Sequence, residues 1–411
     1  MKTILLLLVP FPLLAQSPEC DCFTELDFAL TNLRKTPAYR QQKDSAIIRE
    51  AKHLPLVIDK MRADSLLDIS CYYYIGMAVH SIVDDGHIMV VPKNTKLKSN
   101  EIRRSKAFLK DVRFDGSEEQ LRTLAARYDK GDLPGIYHRD TLEVALLPVG
   151  DSLSTYEAYL LGSHDVLDIG QRVFRLSADD FGRFSILVYT KNRYPVYLSA
   201  RSVEHALDVL KFHKDSITLR ASWPKFNRKN LLPFDTLLAP QTLYAWIPSF
   251  DDSHSRSVKL KSFMRRLTKK LSGSSDFILD LRNNPGGRKM WINRIARIGR
   301  RYPNLKIHVL INGKTASAAE HISIELHRAG ATLYGEPTYG AFNYGLDWRI
   351  RFIKRIRYRS PCDMYLIYPN RGFSRINSDY LHYEKKGIPV DVNLSDDVDW
   401  IETVLQIISN Q

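Results

Sequence analysis

The chain has 411 residues, of which 44% are hydrophobic and 26% charged. That length and balance suit two or three domains with a sizeable core, and they exclude a disordered polymer. The formal charge of +14 invites a nucleic-acid reading, but the basic residues fall into separate clusters: Arg265-Arg266 with Lys269-Lys270, Arg294 to Arg301, and Arg349 to Arg359. The last alternates charged and apolar residues, as a charged sheet edge or solvated face does, so nucleic acid is not expected as a partner.

Met1-Lys2 followed by the apolar run Ile4 to Leu14 reads as a secretory signal peptide over residues 1–16, cleaved near Ala15 or Gln16. It is too short to span a bilayer. The expectation is an exported protein, periplasmic or associated with the cell envelope, whose basic surface meets anionic envelope components. Ser17-Pro18-Glu19-Cys20 lacks the apolar and small residues that precede a lipid-modified cysteine. The four cysteines, Cys20, Cys22, Cys71 and Cys362, allow three disulfide pairings between which the sequence does not choose. Cys20-x-Cys22 has no second cysteine pair or histidine cluster beside it, so no zinc site is read, and no cofactor is expected.

Residues 17–98 read as a helical segment, with helices over Phe23 to Leu33, Ser45 to Ala51, Leu54 to Met61 and Leu66 to Val83. His87 follows at the turn Asp84-Asp85-Gly86-His87, before the strand-like Ile88 to Val91. Residues 99–240 change character. A short helix over Ser117 to Arg127 precedes strand patterns at Ile136-Tyr137, Leu142 to Leu147, Tyr156 to Leu161, Gln171 to Leu176, Arg183 to Tyr189, Val196 to Leu198 and Ser216 to Leu219. Turn residues separate them at spacings typical of a small barrel or sandwich, so a mainly-β inserted domain is expected.

From residue 241 to 411 strands and helices alternate, which argues for an α/β layer structure. Leu243 to Phe250 and Phe277 to Leu281 read as strands, and Arg256 to Leu271 and Met290 to Arg301 as helices. Arg282-Asn-Asn-Pro-Gly286-Gly287 is a turn whose composition lets backbone amides point into a site. Ile307 to Ile311 reads as a strand ending at Asn312-Gly313, and apolar residues recur at helical spacing from Ala318 to the cap Gly330. Ser317 therefore stands where strand turns into helix. A hydroxyl there has the free N–H groups of a first helical turn beside it, as acyl transfer requires. Ser317-Ala-Ala-Glu320 fits a helix capping box equally well. A helix over Val398 to Ile408 ends the chain.

Three stretches then coincide in order: Asp280-Leu-Arg-Asn-Asn-Pro-Gly-Gly287, Asn312-Gly-Lys-Thr-Ala-Ser-Ala-Ala-Glu320 and Gly335-Glu-Pro-Thr-Tyr-Gly340. Together they resemble the catalytic core of the tail-specific, or C-terminal processing, serine peptidases, the clan that includes the tricorn core. Ile247-Pro-Ser-Phe250 and Gly387-Ile-Pro-Val-Asp391 look like further landmarks of that family. The resemblance implies an α/β core of the crotonase and Clp-protease spiral type and a peptide or protein substrate. One branch of the clan activates its serine with a lysine after a Thr-x-Gly turn, where this chain has Gly340-Ala341-Phe342. The tricorn-like branch takes a histidine from the N-terminal segment, in a motif like Asp85-Gly86-His87, and a carboxylate that Glu384 matches. By that resemblance Ser317 is the nucleophile, His87 the general base and then acid, and Glu384 the supporting group. The N–H groups of Gly286 or Gly287 and of Ala318 would be oxyanion donors. Many family members carry a PDZ-type domain, and residues 100 to 240 show no convincing carboxylate-binding loop of that kind. A non-catalytic ligand- or peptide-binding protein on the same fold is the alternative.

Overall fold

The computed structural model describes residues 21–65, 67–92, 112–129, 132–139, 141–150, 154–164, 167–178, 183–189, 195–200, 202–210, 212–214, 232–250, 254–342, 344–345, 357–360, 364–368, 371–372, 382–395 and 398–410. The leader reading, Cys20, Cys362, the Ser216 to Leu219 strand and residues 349–356 of the charged stretch lie outside them.

The N-terminal segment holds α1 (Cys22–Leu33), α2 (Pro37–Gln41), α3 (Lys43–Ala63) and α4 (Leu67–Ile82). Asp21 caps α1 by accepting the Thr24 N–H at 2.8 Å, and Thr36 caps α2 ahead of Pro37. Where the sequence suggests two helices, Ser45 to Ala51 and Leu54 to Met61, α3 runs as one helix, straight through Pro55 and its missing N–H. Buried Ala46, His53, Val57 and Met61 share one side of α3, and packing against α4 holds that side down more strongly than one absent backbone bond loosens it. A Cys22–Cys71 disulfide ties α1 to α4, with Cα atoms 5.6 Å apart. Strand β1 (Met89–Pro92) follows the His87 turn.

After α5 (Glu118–Ala125) come β2 (Gly135–Arg139), β3 (Leu142–Pro148), β4 (Thr155–Leu161), β5 (Arg172–Ala178), β6 (Phe184–Tyr189) and β7 (Pro195–Ala200). They form a six-stranded antiparallel meander in sequence order. Helix α6 (Val203–Leu210) closes one face over Phe174, Ile186 and Phe212. Helix α4 packs on β7, where Gly76 lies against Tyr197 and the Tyr73 hydroxyl donates to Ser185 at 3.2 Å.

The remaining elements are β8 (Phe234–Ala239), β9 (Thr242–Trp246), α7 (His254–Leu271), β10 (Asp276–Asp280), α8 (Met290–Arg301), β11 (Lys306–Ile311), α9 (Ala318–Arg328), β12 (Thr332–Gly335), β13 (Tyr344–Gly345), β14 (Arg357–Arg359), β15 (Met364–Ile367), β16 (Arg371–Gly372), β17 (Val392–Asn393) and α10 (Trp400–Ser409). The chain is thus a mixed α/β protein with several sheets. Its second six-stranded sheet has the order β17-β12-β11-β10-β9-β8, parallel except for β8, which pairs antiparallel to β9. Both faces are covered, which is why its strands read as continuous apolar runs. Leu243, Phe277, Leu279, Ile307 and Val309 face α7, α8 and α9, whereas Tyr244, Ile278, Leu310 and Tyr334 face Trp400 and Val404 of α10. Strand β8 begins before residue 241, where the sequence pattern changes, and still belongs to this sheet. A three-stranded antiparallel sheet, β1-β15-β14, joins the N-terminal segment to the C-terminal part of the chain. Among the described residues no helix is long and apolar enough to cross a membrane.

Candidate active site

The loops that leave the C-terminal ends of β10, β11 and β12 converge, as ligand-bearing loops do at that edge of a parallel sheet. Beneath them a buried ion pair fixes the end of β10. Asp280 accepts from Arg282 Nη2 at 2.6 Å and from the Tyr244 hydroxyl at 2.7 Å, and the Arg282 guanidinium lies 5.6 Å from the Trp400 ring centre. Asn312 and Asn283 then exchange hydrogen bonds, the Asn283 N–H to Asn312 Oδ1 and the Asn312 Nδ2 to Asn283 Oδ1, both at 2.9 Å. The Ala316 N–H donates to the Asn284 carbonyl, and the Thr315 hydroxyl to that of Leu281, each at 2.9 Å. The loop carrying Ser317 is therefore anchored to the Asn-Pro-Gly loop before it.

Ser317 has φ 54° and ψ −118°, a left-handed backbone that a residue with a side chain adopts only under constraint. An ordinary N-cap has extended backbone, so the capping-box reading covers part of this site only. Glu320 does take the Ser317 N–H, at 2.7 Å. Its fully buried carboxylate also accepts from the Thr338 hydroxyl (2.6 Å) and from the Gly340 (2.8 Å) and Ala341 (3.0 Å) N–H groups. Burial pushes its carboxyl up to about 7 against the pull of those donors. Glu320 thus fastens the turn at Ser317 to the loop after β12.

Gly286 lies directly against the serine. A Cβ on it would come 2.6 Å from the Ala316 oxygen and 2.7 Å from Ser317 Cβ, and its φ is 89°. The Gly286 N–H donates to Asn284 Oδ1 at 2.8 Å. Of the two glycines considered as oxyanion donors, only Gly287 then keeps its N–H uncommitted among the described residues, beside that of Ala318 at the head of α9.

The second cluster gathers around the turn before β1. Glu384, 4% exposed, accepts the Gly86 N–H through Oε1 at 2.7 Å and the Phe342 N–H through Oε2 at 2.9 Å. Gly86 is pressed against Ala341, where a Cβ would come within 3.0 Å of Ala341 Cβ. The His87 N–H donates to Asp85 Oδ1 at 2.8 Å, and His87 Nδ1 lies 3.8 Å from the same oxygen. One donor atom from each of Asp85, His87 and Glu384 lies within 4.8 Å of the other two. Burial lowers the His87 imidazole to about 4 and raises the Asp85 carboxyl to about 7.

Residues 340–342 are shared by both clusters, since Glu320 holds Gly340 and Ala341 while Glu384 holds Phe342. That segment links the Ser317 turn to the turn of His87, and among the described residues no hydrogen bond joins Ser317 to His87. Two further histidines, His321 and His80, are engaged elsewhere. His321 Nε2 lies 2.6 Å from the Phe342 carbonyl with its ring stacked on Phe342, and His80 packs on Tyr197. Lys385, with φ 61°, donates to the His80 and Val83 carbonyls at 2.8 and 2.7 Å and lies 3.4 Å from Asp84. Sequence reasoning gave no role to Asp85 or Lys385, and Glu320 figured only as half of a cap. Asp85 adjoins His87 in the motif, but nothing local signals that it is fully buried.

No protein-family model matches the chain, and no curated protein matches it. Among solved structures the tricorn protease is similar at TM-score 0.43 and 14% identity, covering 94% of this chain and 36% of its own. Mature CPAF has TM-score 0.43 and 10% identity, covering 95% and 98%. The photosystem II D1 C-terminal processing protease has TM-score 0.36 and 14% identity, covering 94% and 96%. With all three TM-scores below 0.5, the functional reading rests on the chain's own residues.

Proposed function

We propose that the chain is an exported serine peptidase of the tricorn-like branch, with a spiral α/β core, that hydrolyses peptide bonds through an acyl-enzyme on Ser317. The observation that carries this reading is the backbone of Ser317. A non-glycine residue held at φ 54° between a parallel strand and a helix, with a glycine pressed on it, has the form of a nucleophile elbow. The turn lifts the hydroxyl out of the sheet edge and leaves the Ala318 N–H next to it.

In this reading His87 takes the proton from Ser317 Oγ as the oxygen attacks the scissile carbonyl, and then returns it to the leaving amine. A carboxylate facing Nδ1 keeps the imidazole proton there and leaves Nε2 with the lone pair that a base needs. Asp85 Oδ1 lies 3.8 Å from that nitrogen, and Glu384 fixes the turn by accepting the Gly86 N–H. The Gly287 and Ala318 N–H groups would receive the oxyanion, and losing one such donor lowers turnover on the order of 100-fold. The exposed basic residues of α7 and α8, such as Lys261, Arg265, Arg294 and Arg297, offer the surface for anionic envelope components.

A fluorophosphonate probe tests the reading. The folded wild-type protein should be labelled at Ser317, and Ser317→Ala should not be labelled. An unlabelled wild type, or labelling that survives in Ser317→Ala, removes the serine-peptidase reading.

A further inference from the structure

The Asp85, His87 and Glu384 cluster has a property that serine chemistry does not use. Among the described residues, Asp85 Oδ2 and His87 Nδ1 are buried with no hydrogen-bond partner. Asp85 is fully buried, and only 13% of the His87 side chain is accessible. An unpartnered carboxylate oxygen in such a place carries an uncompensated desolvation cost, and a buried imidazole nitrogen adds to that. Both residues belong to a set of one imidazole and two carboxylates, each offering one donor atom within 4.8 Å of the others. Ligands of a tetrahedral zinc ion at about 2.0–2.2 Å stand about 3.4 Å apart. The His87 Nδ1 to Asp85 Oδ1 separation of 3.8 Å is therefore a few tenths of an ångström from a liganding arrangement. Glu384 is already aimed by its two backbone donors, which orient a ligating carboxylate as outer partners do at metal sites.

We infer that Asp85, His87 and Glu384 form an inhibitory site for a divalent transition-metal ion, with zinc as the best fit. One imidazole and two carboxylates suit zinc better than magnesium or calcium, which take oxygen ligands alone. The two ionised carboxylates balance the ion's double charge. Lys385, whose charge acts on Asp85 and Glu384, is tied to the His80 and Val83 carbonyls and to Asp84.

The inhibitory half of the inference rests on His87 being the base. Neutral imidazole has one N–H and one lone pair. With the proton on Nδ1, Nε2 can take a proton from serine. With a metal on Nδ1, the ring proton moves to Nε2, which becomes a donor and cannot act as the base. Proton and metal thus compete for the same nitrogen, and zinc bound there holds the site inactive without touching Ser317.

Zinc binding is read by competition with a chromophoric chelator on the purified protein. Labelling of Ser317 by the fluorophosphonate is read in parallel. Wild type should bind one tight equivalent, and Asp85→Asn should bind at least about tenfold more weakly while keeping its melting profile. Zinc should slow labelling over the same concentration range in which it binds, and excess chelator should restore the rate. If Asp85→Asn does not fold, His87→Gln supplies the binding measurement. Failure to bind a stoichiometric zinc, or undiminished binding in the variants, overturns the site. Labelling that proceeds at full rate with zinc bound overturns the inhibition. If the metal-free protein never labels yet binds zinc through these residues, the peptidase reading fails and the metal site stands.

Discussion

Ser317 is held in a conformation that its own side chain disfavours, which sets stability against reactivity at a single residue. Glycine adopts φ 54° without steric penalty, whereas alanine keeps the Cβ and the strain. Ser317→Gly should therefore be more stable than Ser317→Ala by about 1–3 kcal/mol in denaturant unfolding, with neither variant labelled. Equal stabilities would mean that the turn is not strained. His87 carries the second residue-scale prediction. A base must be unprotonated, and burial lowers this imidazole to about 4, so in Asp85→Asn, which removes the carboxyl that burial raises to about 7, the labelling rate should stay level as pH falls to about 5 and drop around 4. A rate that halves near the ordinary value of 6.5 would contradict the burial of His87. Stability has the matching sign. The unfolded chain takes up this proton near 6.5 and the folded chain only near 4, so the His87 contribution is lost as pH falls between them. At this scale the sequence showed which side chains were chemically apt, because Ser317 and His87 both stand at turns beside regular elements. Local spacing alone left Ser317-x-x-Glu320 open to cap or nucleophile, since the sign of φ and the reach of Glu320 to Gly340 and Ala341 depend on a loop some 20 residues further on.

The loops after β10 and β11 work as one unit because Gly286 allows them to touch. Gly286→Ala would put a methyl group 2.6 Å from the Ala316 oxygen, so the Ser317 turn has to move. The expected result is a lower melting temperature and a labelling rate lower on the order of 100-fold, the usual effect of displacing a reacting group by about 1 Å. Retained wild-type labelling would show that the two loops move independently. Elements with one dominant signal were legible. The sequence reading placed α8 at Met290–Arg301, where the structure has it, because its apolar residues recur at helical period over three turns. Helix α3 reads in the sequence as two, Ser45 to Ala51 and Leu54 to Met61, because the packing against α4 that makes it continuous is not visible locally. No strand is read at residues 234–239, which fall in the 99–240 segment, whereas pairing with β9 makes them β8 of the parallel sheet.

In the whole molecule, His87 depends on contacts remote from Ser317 in sequence. The turn that carries it is held by β1 pairing with β15, by α4 on β7 and by the Cys22–Cys71 bond. Closing a loop of sequence separation 49 stabilises by about 4 kcal/mol in the chain-entropy account. Cys71→Ser should therefore lower the melting temperature, and on warming labelling should be lost before the parallel sheet unfolds, as followed by far-ultraviolet circular dichroism. Simultaneous loss would mean that the N-terminal segment and the sheet unfold together. None of these long-range pairings was legible in the sequence, which offered three disulfide connectivities and no partner for β1. The central claim is that a histidine from one part of the chain activates a serine from another. It is tested most directly by the second-order rate of phosphonylation of Ser317, followed by intact mass, in wild type and in folded His87→Ala. A fall of at least about 100-fold in His87→Ala is the predicted result; an unchanged rate would contradict the assembly of the site across the two segments.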